Sequence, residues 1–503
     1  MIRRLISRSN AIGFSSKMLR TILYEKFTRA LRIPSYSYSA ADIAFGPQQQ
    51  APRRSSSFKG IFMKSSKRKI CQVLALLVSS IGATAAMAAG PVIQGGGSSL
   101  VAPTLGSVSN TATEIGLYGT ANATFTYYSV GSGAGQNAFL NNQPTYFGAG
   151  VTGTVHFANS DAALSTAQLT AYKAGLGATS GPLIQIPYIV TPITVPVVNG
   201  PAVTSTTTPQ TTPGQAHSIA LNDNDLCGIF SGRITDWAGT GANHTDAVIN
   251  PETGLPYTTT STPISVIYRS DGSGTTELLT RHLAAVCTTA NTAQGVTFVD
   301  SLTFTASFPG GAVPSNFIPA SGSSGVRGAL AAAKGNAVAY LSPDYTNTFL
   351  APSSTVVTAA GALQLPVASL VNAKNGAYYA PTYANASTAL GTIAAPATKL
   401  LASNQANWVP NAGNPAAGYP VSGTSQIILS QCYANASVKS AVQDFLNKHY
   451  TNAGFASIVH GNGFDTVPSN YQTAISNDFL SNASGFNLDI GNASVCTGTV
   501  VGR

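Results

Sequence analysis

Charged side chains are scarce: Asp, Glu, Lys and Arg make up 9% of the 503 residues, against a hydrophobic share of 44%. So little charge with so much apolar material excludes a solvated, disordered chain over most of the length. Histidine and cysteine are also sparse, at 6 and 5. The histidines are scattered and no Cys-x-x-Cys occurs, so neither a metal nor a cofactor is expected. A Gly-rich turn is present at Gly272–Gly274, but the lysine that completes a nucleotide P-loop is missing. Gly131-Ser-Gly-Ala-Gly135 likewise lacks the later glycine and the acid of a dinucleotide fingerprint. No Gly-x-Ser-x-Gly elbow with an ordered triad appears, and no solenoid-length repeat.

The net charge of +9 suggests a polyanion partner, yet its distribution excludes one. Residues 1–88 carry 15 basic and 2 acidic side chains, whereas 89–503 carry 11 basic and 15 acidic, a net of −4. Nucleic acid is therefore not an expected partner. Lys64-Ser-Ser-Lys67-Arg68-Lys69, the apolar run Val73–Val78 and Ala86-Met87-Ala88 together read as a secretory signal peptide over 63–88. The apolar run is too short for a membrane anchor, and Cys71 precedes it, unlike a lipid-bearing cysteine. Residues 1–62 read as an over-extended start, with Met63 the natural one, or as an atypical leader. Beyond 88 the even set Cys227, Cys287, Cys432 and Cys496 permits three pairings in an exported protein. Cys227–Cys287 and Cys432–Cys496 are favoured, because each pair lies within one region of the chain.

Four times a β-like stretch runs through a Gly/Ser/Asp turn into a helical pattern. The first is Val92-Ile93, the turn Gly95–Ser99 and a helix from Leu100 to about Ile115; the second is Ala123–Tyr128, Gly131–Gly135 and Gln136–Leu140. The third is Val155–Phe157, Asn159–Asp161 and Ser165–Lys173; the fourth is Ile264–Tyr268, Arg269–Thr275 and a helix to Val286. Such alternation predicts an α/β fold with mostly parallel sheets, whose ligand lies beyond the carboxyl ends of the strands. Pro182–Val190, continuing to Val198, suits an extended crossover between two lobes. Asn199–Gln215 reads as an exposed loop or insertion and about 350–420 as a low-complexity insertion.

Arg269-Ser-Asp-Gly-Ser-Gly-Thr275 is the most informative stretch. Its glycines let backbone N–H groups approach a ligand, and the helix that follows offers unpaired N–H groups and a positive dipole end. Ser273 and Thr275 add hydroxyls, Arg269 adds a planar cationic fork, and Asp271 can orient that fork. The competing reading is an ordinary capped Gly-rich turn. Asp161 has two readings as well: a helix N-cap, or an acceptor for a proton carried by the anion. Trp237 and Tyr340 read as core or hinge packing, and His282 as a packed or surface histidine; His156 directly precedes the third turn, with nothing else in the sequence to support a functional role.

Taken together, Gly95–Pro103, Gly131–Gly135, Phe157–Ser165 and Arg269–Thr275 resemble the site segments of phosphate-binding proteins, and Ile229-Phe-Ser-Gly-Arg-Ile-Thr-Asp-Trp237 and Gly335–Tyr340 resemble two further segments of that family, all six in the family's order. These are the periplasmic receptors of phosphate ABC transporters and the related DING proteins; the resemblance spans about 93–345. It implies a type II two-lobed binding protein, with 89–190 and 330–503 as one lobe, 191–329 as the other, and Gly335–Tyr340 as the strand returning to the first. It also implies phosphate contacts from Ser99, Leu100, Ser132, Asp161, Arg269, Asp271, Ser273, Gly274 and Thr275, with Asp161 accepting the phosphate's proton. Ser99-Leu100 stands where the family commonly has Thr-Phe. The implied protein is a monomeric periplasmic or secreted receptor that hands inorganic phosphate to a membrane permease. A secreted DING-type alkaline phosphatase is the alternative; Val92-Ile-Gln-Gly-Gly-Gly97 resembles the DING start without its Asp and Asn.

Overall fold

Close backbone packing explains the first run of glycines. In the computed structural model, which describes residues 90–503 apart from 411 and 412, Gly95 and Gly96 lie inside a strand, β1 (Val92–Gly97). A Cβ on Gly95 would sit 2.5 Å from the Phe157 ring, and one on Gly96 2.5 Å from the Tyr128 carbonyl oxygen. These glycines, expected to form a turn, instead let three strands close up. The signal peptide expected over 63–88 and the leader or over-extended start expected over 1–62 lie outside the described residues.

β1 pairs in parallel with β2 (Thr124–Ser129) and β3 (Phe157–Ser160), and all three run toward one edge. Each of the latter two feeds a helix: α1 (Ser132–Asn141) after β2 and α2 (Thr166–Ala174) after β3. The long helix expected over Leu100–Ile115 is instead two short ones, Ala102–Leu105 and Glu114–Tyr118. Gly106 ends the first at φ 63°, a left-handed conformation that a helix cannot continue through.

From α2 the chain enters the buried β4 (Leu183–Pro192) and crosses to β5 (Val197–Val198) in a second sheet. There α3 (Asp223–Ser231) is followed by β6 (Ser265–Arg269) and α4 (Gly274–Val286), then β7 (Phe317–Ala320) and α5 (Gly322–Ala332). β8 (Ala337–Val338) pairs with β5 and β6, so Gly335–Tyr340 still belongs to the second sheet and has not yet returned to the first. The return comes with β9 (Ser422–Ser430) and β10 (Asp465–Thr466). The sheets are ordered β10-β4-β9-β3-β1-β2 and β7-β6-β8-β5.

Both sheets are mixed. Strands that carry turn and helix onward are parallel, whereas β4, β9 and β10 pair antiparallel. At the crossing, Thr194 N donates to Leu341 O at 2.7 Å and Ile193 N to Val421 O at 2.8 Å, tying outgoing and returning segments side by side.

The loop 199–215 is exposed along much of its length but pinned at several points, and 350–420 contributes to the core. In 199–215, Thr208 and Thr211 are buried, and Glu252 accepts the N–H groups of Thr206 and Thr207 at 2.8 Å each. Within 350–420, Leu365, Leu370 and Trp408 are buried, and Ser369–Leu370 pairs in parallel with Ala220–Leu221. The cysteines pair as Cys227–Cys287 and Cys432–Cys496, with Cα separations of 5.6 and 5.5 Å.

Candidate anion-binding site

Three helix starts meet where the two sheets' strand ends face each other. At each, the first N–H groups lack intrahelical partners and the helix dipole is positive, so negative charge is favoured there. α1 opens at Ser132, α4 at Gly274 behind its N-cap Ser273, and α5 at Gly322. Backbone joins the first two, since Gly133 N donates to Gly272 O at 2.9 Å. Gly274 is forced to be glycine by this approach: its Cβ would lie 2.6 Å from both Asp161 Cβ and Ser132 Oγ.

Arg269 ends β6 and is 2% exposed. Its guanidinium forks onto Asp271, with Nε to Oδ1 at 2.7 Å and Nη2 to Oδ2 at 2.5 Å. Asp271 Oδ1 also accepts Gly322 N at 2.9 Å. Burial alone would raise the Asp271 carboxyl, but the bonds and charge of Arg269 hold it below the ordinary carboxylate value. Tyr340 Oη accepts Arg269 N at 2.9 Å and shares a proton with Thr276 Oγ1 at 2.8 Å. Tyr340 is thus more than packing, because it fixes the backbone from which the guanidinium extends.

Asp161 follows β3 and is 2% exposed. It does not cap a helix: α2 is capped by Ser165, whose side chain accepts Gln168 N in a capping box. The carboxylate instead receives the Ser98 hydroxyl, 2.7 Å from Oδ1 and 2.8 Å from Oδ2, while its own N–H donates to Ser132 Oγ at 3.2 Å. Burial pushes its carboxyl above the ordinary value, and the Ser98 bond and the Arg269 charge only partly offset that rise.

All nine expected residues therefore fall in one region of the fold. Ser99, Leu100, Ser132, Ser273, Gly274 and Thr275 are buried there with Arg269 and Asp161, and Asp271 is partly buried beside them. Thr275 Oγ1 is buried without a hydrogen-bond partner among the described residues, an orphan that a bound oxyanion would satisfy. The sequence reading missed Ser98 and Ser323. Ser323 Oγ lies 2.8 Å from Ser99 Oγ and accepts Arg269 Nη1 at 3.3 Å. Its signal was present: Phe317–Ala320, then Ser321-Gly-Ser-Ser-Gly325, then a helix, is a fifth strand–turn–helix unit. His282 lies away from this cluster, held by Asp223 Oδ1 at 3.1 Å and Gly413 O at 2.8 Å, and Trp237 donates to Asn336 at 2.7 Å.

Residues 79–447 match the family model of the PBP superfamily domain. A protein of Pseudomonas aeruginosa named alkaline phosphatase L is 37% identical over 376 residues, 74% of this chain and 86% of that one. A phosphate-binding protein from an unknown prokaryotic organism is 36% identical over 392 residues, 74% of this chain and 92% of its own. Among solved structures, a high-affinity periplasmic phosphate-binding protein (PfluDING) bound with phosphate superposes with a TM-score of 0.62 at 34% identity, covering 82% of this chain and 99% of that one. The phosphate-binding protein of Stenotrophomonas maltophilia gives 0.62 at 30%, with the same two coverages.

Proposed function

The chain belongs to the PBP superfamily, among the DING-type phosphate-binding proteins, and on that premise we propose that it is an exported receptor for inorganic phosphate. The observation that carries this reading is a buried carboxylate acceptor, Asp161, set among donors: Arg269, Ser132, Thr275 and three helix starts. Those donors suit any tetrahedral oxyanion. Asp161 repels one unless it offers a hydrogen, which phosphate retains at neutral pH and sulfate does not. Facing acceptor against acceptor costs on the order of 1–3 kcal/mol, which makes Asp161 the selectivity element.

The nine residues named above are proposed as the phosphate contacts, with Asp271 acting through Arg269. One lobe is proposed around the six-stranded sheet and one around the four-stranded sheet. The pairing of β8 with β5 and β6 supports a return crossing later than 330 in this reading. Closing over phosphate, a monomer in the periplasm would dock on a permease that takes the ligand for ATP-driven uptake. The two disulfides support a location outside the cytoplasm.

Calorimetric titration of residues 89–503 is expected to show phosphate binding and at least tenfold weaker sulfate binding. Asp161→Asn is expected to narrow that ratio more than it lowers phosphate affinity. Equal binding of the two anions by the unaltered chain would sink the proposal. The alkaline phosphatase L relatives favour a second reading, hydrolysis on the same scaffold. Turnover of a chromogenic phosphate ester, lost in Arg269→Ala, would support it.

A further inference from the structure

We propose that Ser323 is a positioning residue that turns the Ser99 hydroxyl into an obligate donor toward the anion. The inference rests on the phosphate reading of the site. Ser323 is fully buried at the start of α5, 224 positions from Ser99, and belongs to the second sheet's side of the cradle. Three contacts define it. Arg269 Nη1 donates to Ser323 Oγ at 3.3 Å, Ser323 Oγ and Ser99 Oγ lie 2.8 Å apart, and Ser323 N donates to Ser99 Oγ at 3.2 Å.

Two of the three proton directions follow from the chemistry of the groups, and the one between the two hydroxyls is the direction proposed. A guanidinium only donates, so the Ser323 oxygen accepts from Arg269 and keeps its own proton to give away. The Ser323 N–H also only donates, and it occupies one lone pair of Ser99 Oγ. When the Ser323 hydroxyl donates to the other, Ser99 Oγ accepts twice and its own proton points elsewhere, into the cradle. The result is a directed chain from Arg269 through Ser323 and Ser99 to an anion oxygen. Each bond polarises the next, and the chain crosses from one sheet's side to the other only when the cradle is assembled.

Phosphate affinity is read by calorimetry on the wild type, Ser323→Ala, Ser99→Ala and the double variant, with thermal melts as a folding control. Ser323→Ala is expected to weaken phosphate binding about tenfold, the usual scale of one lost hydrogen bond to a charged group. The double variant is expected to bind about as weakly as the weaker single one, because Ser323 acts through Ser99. Ser323→Thr, which keeps the hydroxyl, is expected to restore binding to within threefold. If Ser323→Ala melts abnormally, Ser323→Thr against Ser323→Val gives the same comparison at matched size. Unchanged affinity in Ser323→Ala, or strictly additive losses, overturns the inference. A wild type that binds no phosphate overturns the parent reading instead.

Discussion

His156 sits just before β3, nearly buried, with its Nδ1 accepting Gln94 N at 3.2 Å. Burial, with the nearby Arg503 cation, pushes its imidazole down to about 4. The unfolded chain takes up a proton near pH ~6.5, while the folded chain resists until about 4. The unfolded state thus binds more protons between those values, so this contribution is full above ~6.5 and is lost as pH falls toward 4. Its size is on the order of 3 kcal/mol at most. Urea unfolding at pH 7 and pH 4.5 is expected to show a loss that His156→Asn reduces, since its amide oxygen can still accept the Gln94 N–H. Equal losses in both proteins would show that another group is responsible. Single-residue roles were legible in the sequence where chemistry alone decides, as for Arg269 and Asp271. They were not legible where the partner is distant in sequence: Ser98 meets Asp161 across 63 positions, and Ser323 meets Ser99 across 224.

Turn and helix in α4 show how an element's own preferences conflict with its neighbours'. Alanine suits a helix start better than glycine does, yet at Gly274 it would press on Asp161 and Ser132 from 2.6 Å. Gly274→Ala is therefore expected to leave the melting temperature within a few degrees while lowering phosphate affinity at least tenfold, the scale of modest overpacking. Calorimetry beside a thermal melt checks both; undiminished affinity would mean the loops need not touch. The strand–turn–helix units were readable because each turn separates two hydrophobic periods. The mixed strand directions were not, because β4 and β9 are both continuous buried runs and no local pattern states which way a neighbour points. Packing over 350–420 was not legible, because abundant Ala, Asn, Pro and Ser obscured buried anchors such as Leu365, Leu370 and Trp408.

For the molecule as a whole, the described portion lies within a stretch that is net negative, at −4 over 89–503, yet its proposed ligand is an anion. Long-range repulsion is screened by salt, whereas contacts to Arg269, at 2% exposure, are shielded from it. Stopped-flow measurements between ~10 and ~200 mM salt are expected to show phosphate association rising up to about twofold with dissociation nearly constant. A steep fall in association would mean that a local positive field at the mouth outweighs the net charge. The bond from Gly133 N to Gly272 O, at 2.9 Å, has a different consequence. It joins main chain to main chain over a cradle whose Ser132, Arg269 and Thr275 are each 2% exposed or less. On the proposed reading, an ion captured there would have no exit until those loops part. How long it stays is then a clock run by loop separation, and it can be reset by changing the latch without altering any group that grips the ion.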